Sequence, residues 1–123
     1  MKLYIDIILS GENFDPQKVS NDYDIIFRKY RKKGEYNSRV RNVEKEGYAI
    51  LSSEEEDTSE DIFKKILEQY DKLYKVGEKK LGIENKEFYL YVESLQNNFV
   101  LQTKYLKRIC TYFSEINISY IDS

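Results

Sequence analysis

Two hydrophobic periods organise this chain. From Lys2 to Ser10 the residues alternate, with Leu3, Ile5, Ile7 and Leu9 on one side and Tyr4, Asp6, Ile8 and Ser10 on the other, the period of a half-buried strand. The second period is helical: Ile62, Phe63, Ile66, Leu67, Tyr70, Leu73 and Tyr74 recur at three- and four-residue spacing, while Lys64, Lys65, Glu68, Asp71 and Lys72 fall on the opposite face. Burying each large apolar side chain contributes roughly 1.5 to 3 kcal/mol, whereas an isolated helix of this length is marginal, so the helix needs a sheet to cover. Gly47-Tyr48-Ala49-Ile50-Leu51 supplies an apolar strand just upstream, and Asp57 with Glu60 three residues on predicts a capping-box start. Gly77 predicts the helix end, with one more turn from Glu78 to Leu81 closed by Gly82.

The remaining segments fit the same scheme. Asp15-Pro16 predicts a helix start and a short helix to about Asn21. Tyr23 to Tyr30, with Tyr23, Ile25 and Phe27 at period two, reads as a strand. A second extended run, Tyr36 to Val43, is joined to the strand at Tyr48 to Ser52 through Glu44-Lys45-Glu46-Gly47, which favours an antiparallel hairpin. Glu87 to Leu95 alternates, Phe99 to Leu101 gives a short return strand, a helix starts near Thr103, and Ile116, Ile118 and Tyr120 form a last strand. In that helix Leu106, Ile109, Cys110 and Phe113 fit one apolar face, which places the Cys110 thiol in the core. The predicted order is β-α-β-β-β-α-β-β-α-β: a single α+β domain over residues 1–123, its sheet mixed and largely antiparallel, with the helices on one face.

Composition adds constraints. The chain of 123 residues is near the commonest domain size, and its hydrophobic fraction of 41% is enough for one core. With 20 basic and 22 acidic residues the net charge is -2, which argues against a generically basic nucleic-acid binder. One cysteine cannot form an internal disulfide, and Asp6 interrupts an N-terminal apolar run too short to span a membrane, so a cytoplasmic protein without a membrane partner is expected.

Several landmarks together resemble a bacterial family catalogued only as domain of unknown function four-two-seven-nine. They are the strand and turn from Ile7 through Gly11 to Pro16, the Lys33-Gly34-Glu35 triplet, the run Gly47 to Ser53, the long helix and the closing strand-helix-strand. The resemblance spans nearly the whole chain and implies the α+β fold just described; it brings no activity, cofactor or catalytic residue. Tyr48 stands where the family pattern has tryptophan.

The chain has no histidine, which removes Ser-His-Asp and Cys-His catalysis and the usual mixed His/Cys zinc sites; no phosphate loop or dinucleotide motif is present, and no cofactor is expected. Glu54, Glu55, Glu56 and Asp57 lack the ligand spacing and central glycine of a calcium loop, and are read as a solvated helix start and a secondary docking candidate for a basic partner. The sharper feature is cationic: Arg28, Lys29, Arg31, Lys32, Lys33, Arg39 and Arg41 oppose one carboxylate, Glu35, with Tyr30 and Tyr36 interleaved. A charged sheet edge that blocks strand-to-strand aggregation explains such a run as well as a docking surface does. Twelve tyrosines accompany no tryptophan; Tyr4, Tyr89 and Tyr91 fall opposite the core positions of their strands, so an open sheet face carrying them is a natural contact surface. These features point to a small non-catalytic bacterial domain that binds another protein, such as an immunity-type protein neutralising a toxin or another inhibitor. A nucleic-acid-binding module using residues 28–41 is the alternative, and an enzyme comes third.

Overall fold

The computed structural model describes residues 2–53, 59–93 and 100–121. The elements run β1 (Lys2–Gly11), α1 (Pro16–Tyr23), β2 (Lys29–Arg31), β3 (Tyr36–Asn37), β4 (Asn42–Val43), β5 (Gly47–Ser52), α2 (Ser59–Val76), β6 (Asn85–Glu93), α3 (Thr103–Tyr112) and β7 (Asn117–Ile121). The longest strand is also the central one: the five-stranded sheet has the order β2-β5-β1-β6-β7, antiparallel except for β6 and β7, which α3 joins as parallel neighbours. This is the expected α+β architecture, with β3 and β4 forming a separate two-stranded sheet.

The alternation of β1 decides the layers. Leu3, Ile5, Ile7 and Leu9 are buried, as are Phe88, Leu90 and Val92 of β6 and Ala49 and Leu51 of β5. They join Ile62, Phe63, Ile66, Leu67, Tyr70 and Leu73 of α2, Tyr105, Ile109 and Tyr112 of α3, and Val19 of α1 in one hydrophobic core. The helices thus cover a single face of the sheet. Three glycines allow the closest approaches between segments: a Cβ on Gly11 would lie 1.8 Å from the Gly82 carbonyl oxygen, one on Gly47 would lie 1.9 Å from the Phe14 carbonyl oxygen, and one on Gly82 would lie 2.4 Å from the Asn13 carbonyl group. Gly82 also holds φ at +79°, a region that side chains disfavour.

Five local expectations are corrected. Asp15 caps α1 by accepting a hydrogen bond from the Lys18 amide at 3.2 Å, but the helix continues to Tyr23 and ends where Asp24 turns left-handed at φ 54°. Only Lys29 and Tyr30 of the expected strand at residues 23–30 enter the ladder, which goes on to Arg31; Ile25 and Phe27 keep their alternation and their burial without strand pairing. The run from Tyr36 to Val43 is not one strand paired with β5, because both edges of β5 are taken by β1 and β2. It folds back on itself instead, Tyr36 opposite Val43, and the loop is closed by hydrogen bonds that the Gly34 amide donates to the Glu44 carbonyl and the Glu44 amide donates to the Glu35 carbonyl. Val100 and Leu101 belong to no strand, and Phe99 lies outside the described residues, as does the proposed helix cap at Asp57.

The fifth correction concerns α3. Its inward face is Tyr105, Ile109 and Tyr112, with Phe113 following, while Leu106 is partly exposed and Cys110 is exposed. Tyrosine, counted as half polar in the sequence, outcompetes the smaller Leu106 and Cys110 for the core. Tyr105 stacks on Phe63 at 5.5 Å, and Tyr112 meets Tyr70 edge-on and donates to Asp71 at 2.6 Å, so ring packing and a hydrogen bond set the helix rotation together.

Candidate functional site

The face of the sheet away from the helices carries the side chains that the core rejected. Reading across the ladders, Tyr4 pairs with Tyr91 and Asp6 with Tyr89 on β1 and β6, while Asp6 pairs with Ser52 and Ser10 with Tyr48 on β1 and β5. On β2, Lys29 and Arg31 lie opposite Ile50 and Tyr48. The face therefore runs from a cationic edge at β2, through a tyrosine and isoleucine centre, to Glu87 and Glu93 on β6.

The rings of the centre are ordered by one another. Tyr4 stacks on Tyr91 with centroids 4.4 Å apart and planes 16° from parallel, and Tyr89 stacks on Tyr91 at 6.3 Å and 15°. Such stacking commits ring faces to each other. The phenol of Tyr91 is held above its ordinary pKa by burial and then by Asp6 and Tyr4; that of Tyr89 is raised first by its hydrogen bond to Glu87. Both phenols are protonated near neutral pH, when a tyrosine hydroxyl can donate as well as accept.

At the β2 edge the centre meets a polar notch of about 350 Å³ lined by Tyr4, Asp6, Arg28, Ser52, Ser53 and Tyr91. Asp6, only 8% exposed, accepts from the Ser52 hydroxyl at 2.5 Å and from Arg28 Nη2 at 3.5 Å. Arg28 Nε donates to the same Ser52 oxygen at 2.9 Å, so one short network satisfies the buried carboxylate and fixes the guanidinium at the mouth of the notch. Beyond it Arg31 lies over the Tyr48 ring at 5.9 Å and pairs with Glu44 at 3.3 Å. Among the described residues no carboxylate pairs with Lys29: Arg31 foremost, then desolvation, Arg39 and Arg28, hold its ammonium below the usual lysine range.

The basic segment is therefore divided by the fold. Arg28, Lys29 and Arg31 reach the open face. Tyr30 points to the opposite side of the ladder with Ala49, and Lys33 pairs with Glu12 at 3.4 Å at the far end of β1. Tyr36, Arg39 and Arg41 sit on the small β3–β4 hairpin, exposed, while Lys32 is half-buried in the chain leading to it. Tyr4, Tyr89 and Tyr91 are brought together as expected. Tyr48, Asp6 and Ser52 were missed, although the alternation from Gly47 to Leu51 already places Tyr48 opposite Ala49 and Leu51. Glu54, Glu55, Glu56 and Asp57 lie outside the described residues.

Among the described residues there is no group of three or more cysteines and carboxylates placed to hold a metal ion, and no helix long and apolar enough to cross a membrane. No family model matches this chain, and neither a curated protein nor a solved structure matches it.

Proposed function

We propose that this chain is a non-catalytic domain that binds another protein through its open sheet face, of the kind represented by immunity-type proteins and other inhibitors, and that it belongs with the domain family its landmarks resemble. The observation that supports this reading is the stack of Tyr4, Tyr91 and Tyr89, with the guanidinium of Arg28 held in the notch beside Tyr4 and Tyr91 and with Tyr48 farther along the same face. Tyrosine and arginine are the residues most enriched at energetic centres of protein interfaces, because they bring large contact area and a hydrogen-bonding tip at low entropic cost. Mutual stacking also favours protein over nucleic acid. A nucleobase needs a free ring face, whereas these rings spend faces on each other.

The test is a paired capture from the native cell, with the wild-type chain and its Tyr48→Ala and Tyr89→Lys variants as baits. A protein held by the wild type and lost by both variants, at unchanged circular dichroism, is the expected result. A partner held equally by all three would remove the face from consideration. Co-expression with the product of the neighbouring gene tests the inhibitory role, since relief of that product's toxicity is expected only from chains with an intact face. One observation favours the nucleic-acid reading: Lys29 lies in the field of Arg31, Arg39 and Arg28, and among the described residues no carboxylate pairs with it. Its salt dependence separates it from the first reading, as argued below.

A further inference from the structure

The two ends of the five-stranded sheet are unlike. β2 closes one end with three residues, of which Lys29 and Arg31 set cations along the edge, a device that keeps sheets from pairing edge to edge. β7 closes the other with five, Asn117 to Ile121, which hold neither a charge nor a proline, and among the described residues its only ladder partner is β6. The core also stops short there. Ile118 lies beside Leu90 and Tyr120 beside Val92, so both continue the buried rows on the helix side of the sheet; yet Leu90 and Val92 are fully buried, whereas Ile118 and Tyr120 are 47% and 62% exposed. The strand is anchored at its start, where the Asn117 side-chain amide donates to the Phe88 carbonyl oxygen at 3.2 Å.

We infer that β7 pairs antiparallel with β7 of a second copy of this chain, joining two five-stranded sheets into one continuous sheet about a two-fold axis at Ser119. The strand complements itself. The register centred on Ser119 pairs all five residues, and it sets Ile118 of each copy against Tyr120 of the other, a β-branched side chain against an aromatic one, on the side where both lack cover. An axis perpendicular to the sheet keeps the helices of both copies on one side, so no side chain changes face. With no charge in β7, no like charges meet between the two strands. The axis also closes the assembly: β7 against β2 would be head-to-tail and open-ended, and would meet a shorter edge lined by Lys29 and Arg31. The inference does not rest on what the open tyrosine face binds.

Sedimentation velocity on the whole chain, across about 1 to 100 µM, is the first test, because such a dimer follows mass action. The wild type should pass from monomer to dimer. Tyr120→Lys, at an exposed position and with circular dichroism confirming the fold, removes both Ile118–Tyr120 pairs at once and should weaken the dimer about tenfold. Oxidative cross-linking reads the register in a Cys110→Ser background, which silences the exposed native thiol. Ser119→Cys should form an intermolecular disulfide, since facing residues of an antiparallel pair lie about 4.5 to 5.5 Å apart. Asn117→Cys should not, because its symmetry mate lies about 13 Å away along the strand. A monomer throughout, whether the edge stays bare or takes an extended segment of another protein, would overturn the inference. So would a dimer that Tyr120→Lys leaves unchanged, or one in which Asn117→Cys cross-links as readily as Ser119→Cys.

Discussion

At the scale of single residues, the clearest consequence concerns Cys110. Its thiol lies on the outer side of α3, so a thiol reagent should modify it in the native protein at close to the rate seen in urea. Protection by orders of magnitude would restore the core position that residue type alone suggests. A second consequence is electrostatic. Asp71 accepts a hydrogen bond from Tyr112 and pairs with Lys75 at 3.0 Å; these contacts, Tyr112 first, hold its carboxyl below the ordinary value. A depressed carboxylate contributes stability above its unfolded pKa of about 3.9, lost as pH falls through the lower folded value. Urea midpoints should therefore fall on acidification below about pH 4, and the fall should be shallower in Tyr112→Phe. Because the Lys75 partner is largely exposed the difference should be small, but its sign is definite.

At the scale of elements, α2 carries the largest share of the core. Phe63 and Ile66 sit against the sheet with almost no exposed surface, and replacing either by Ala should cost about 2 to 5 kcal/mol, read as a shift of the urea midpoint at constant slope. Midpoints that barely move would show that the helix is not seated as described. The turn after α2 is equally demanding. Gly82→Ala places a methyl group against the Asn13 carbonyl in a left-handed backbone, and should destabilise by more than about 1 kcal/mol, whereas Gly34→Ala, with φ +91° but open space around it, should cost only the backbone strain. The same comparison shows what was legible. Strong periods, as in β1, β6 and α2, translate directly into buried faces because many side chains agree on one side. Short segments such as β2, β3 and β4 do not, since two or three residues carry no period and their pairing depends on which ladder positions remain open.

At the scale of the whole molecule, the distribution of charge separates the two classes of partner. If the basic segment neutralised about five phosphates, log affinity for duplex DNA would fall with log salt at a slope near -4.5. A protein held by a tyrosine centre would show a much shallower dependence. We expect no appreciable binding of DNA or RNA at about 150 mM salt, measured by fluorescence anisotropy. Charge reversal at Lys32, Lys33 and Arg39 should slow association with a protein partner without abolishing the complex. A tight, steeply salt-dependent complex with single-stranded RNA that those reversals destroy would put the nucleic-acid reading first.

The sequence by itself determined the layers: alternation at period two and recurrence at three and four residues state which side of each long element must leave water, whatever the neighbours are. It therefore determined that Tyr4, Tyr89 and Tyr91 share the uncovered side of the sheet. The tertiary structure alone decided their company. The order β2-β5-β1-β6-β7 puts Tyr4 against Tyr91, brings Ser52 and Arg28 to Asp6, and leaves Arg39 and Arg41 away from the face on the β3–β4 hairpin. The physical reason is range. Periodicity is a property of neighbours along the chain, but strand order and helix rotation are settled by contacts between residues far apart in it, where Tyr105 and Tyr112 could displace Leu106 and Cys110 because Phe63, Tyr70 and Asp71 were there to receive them.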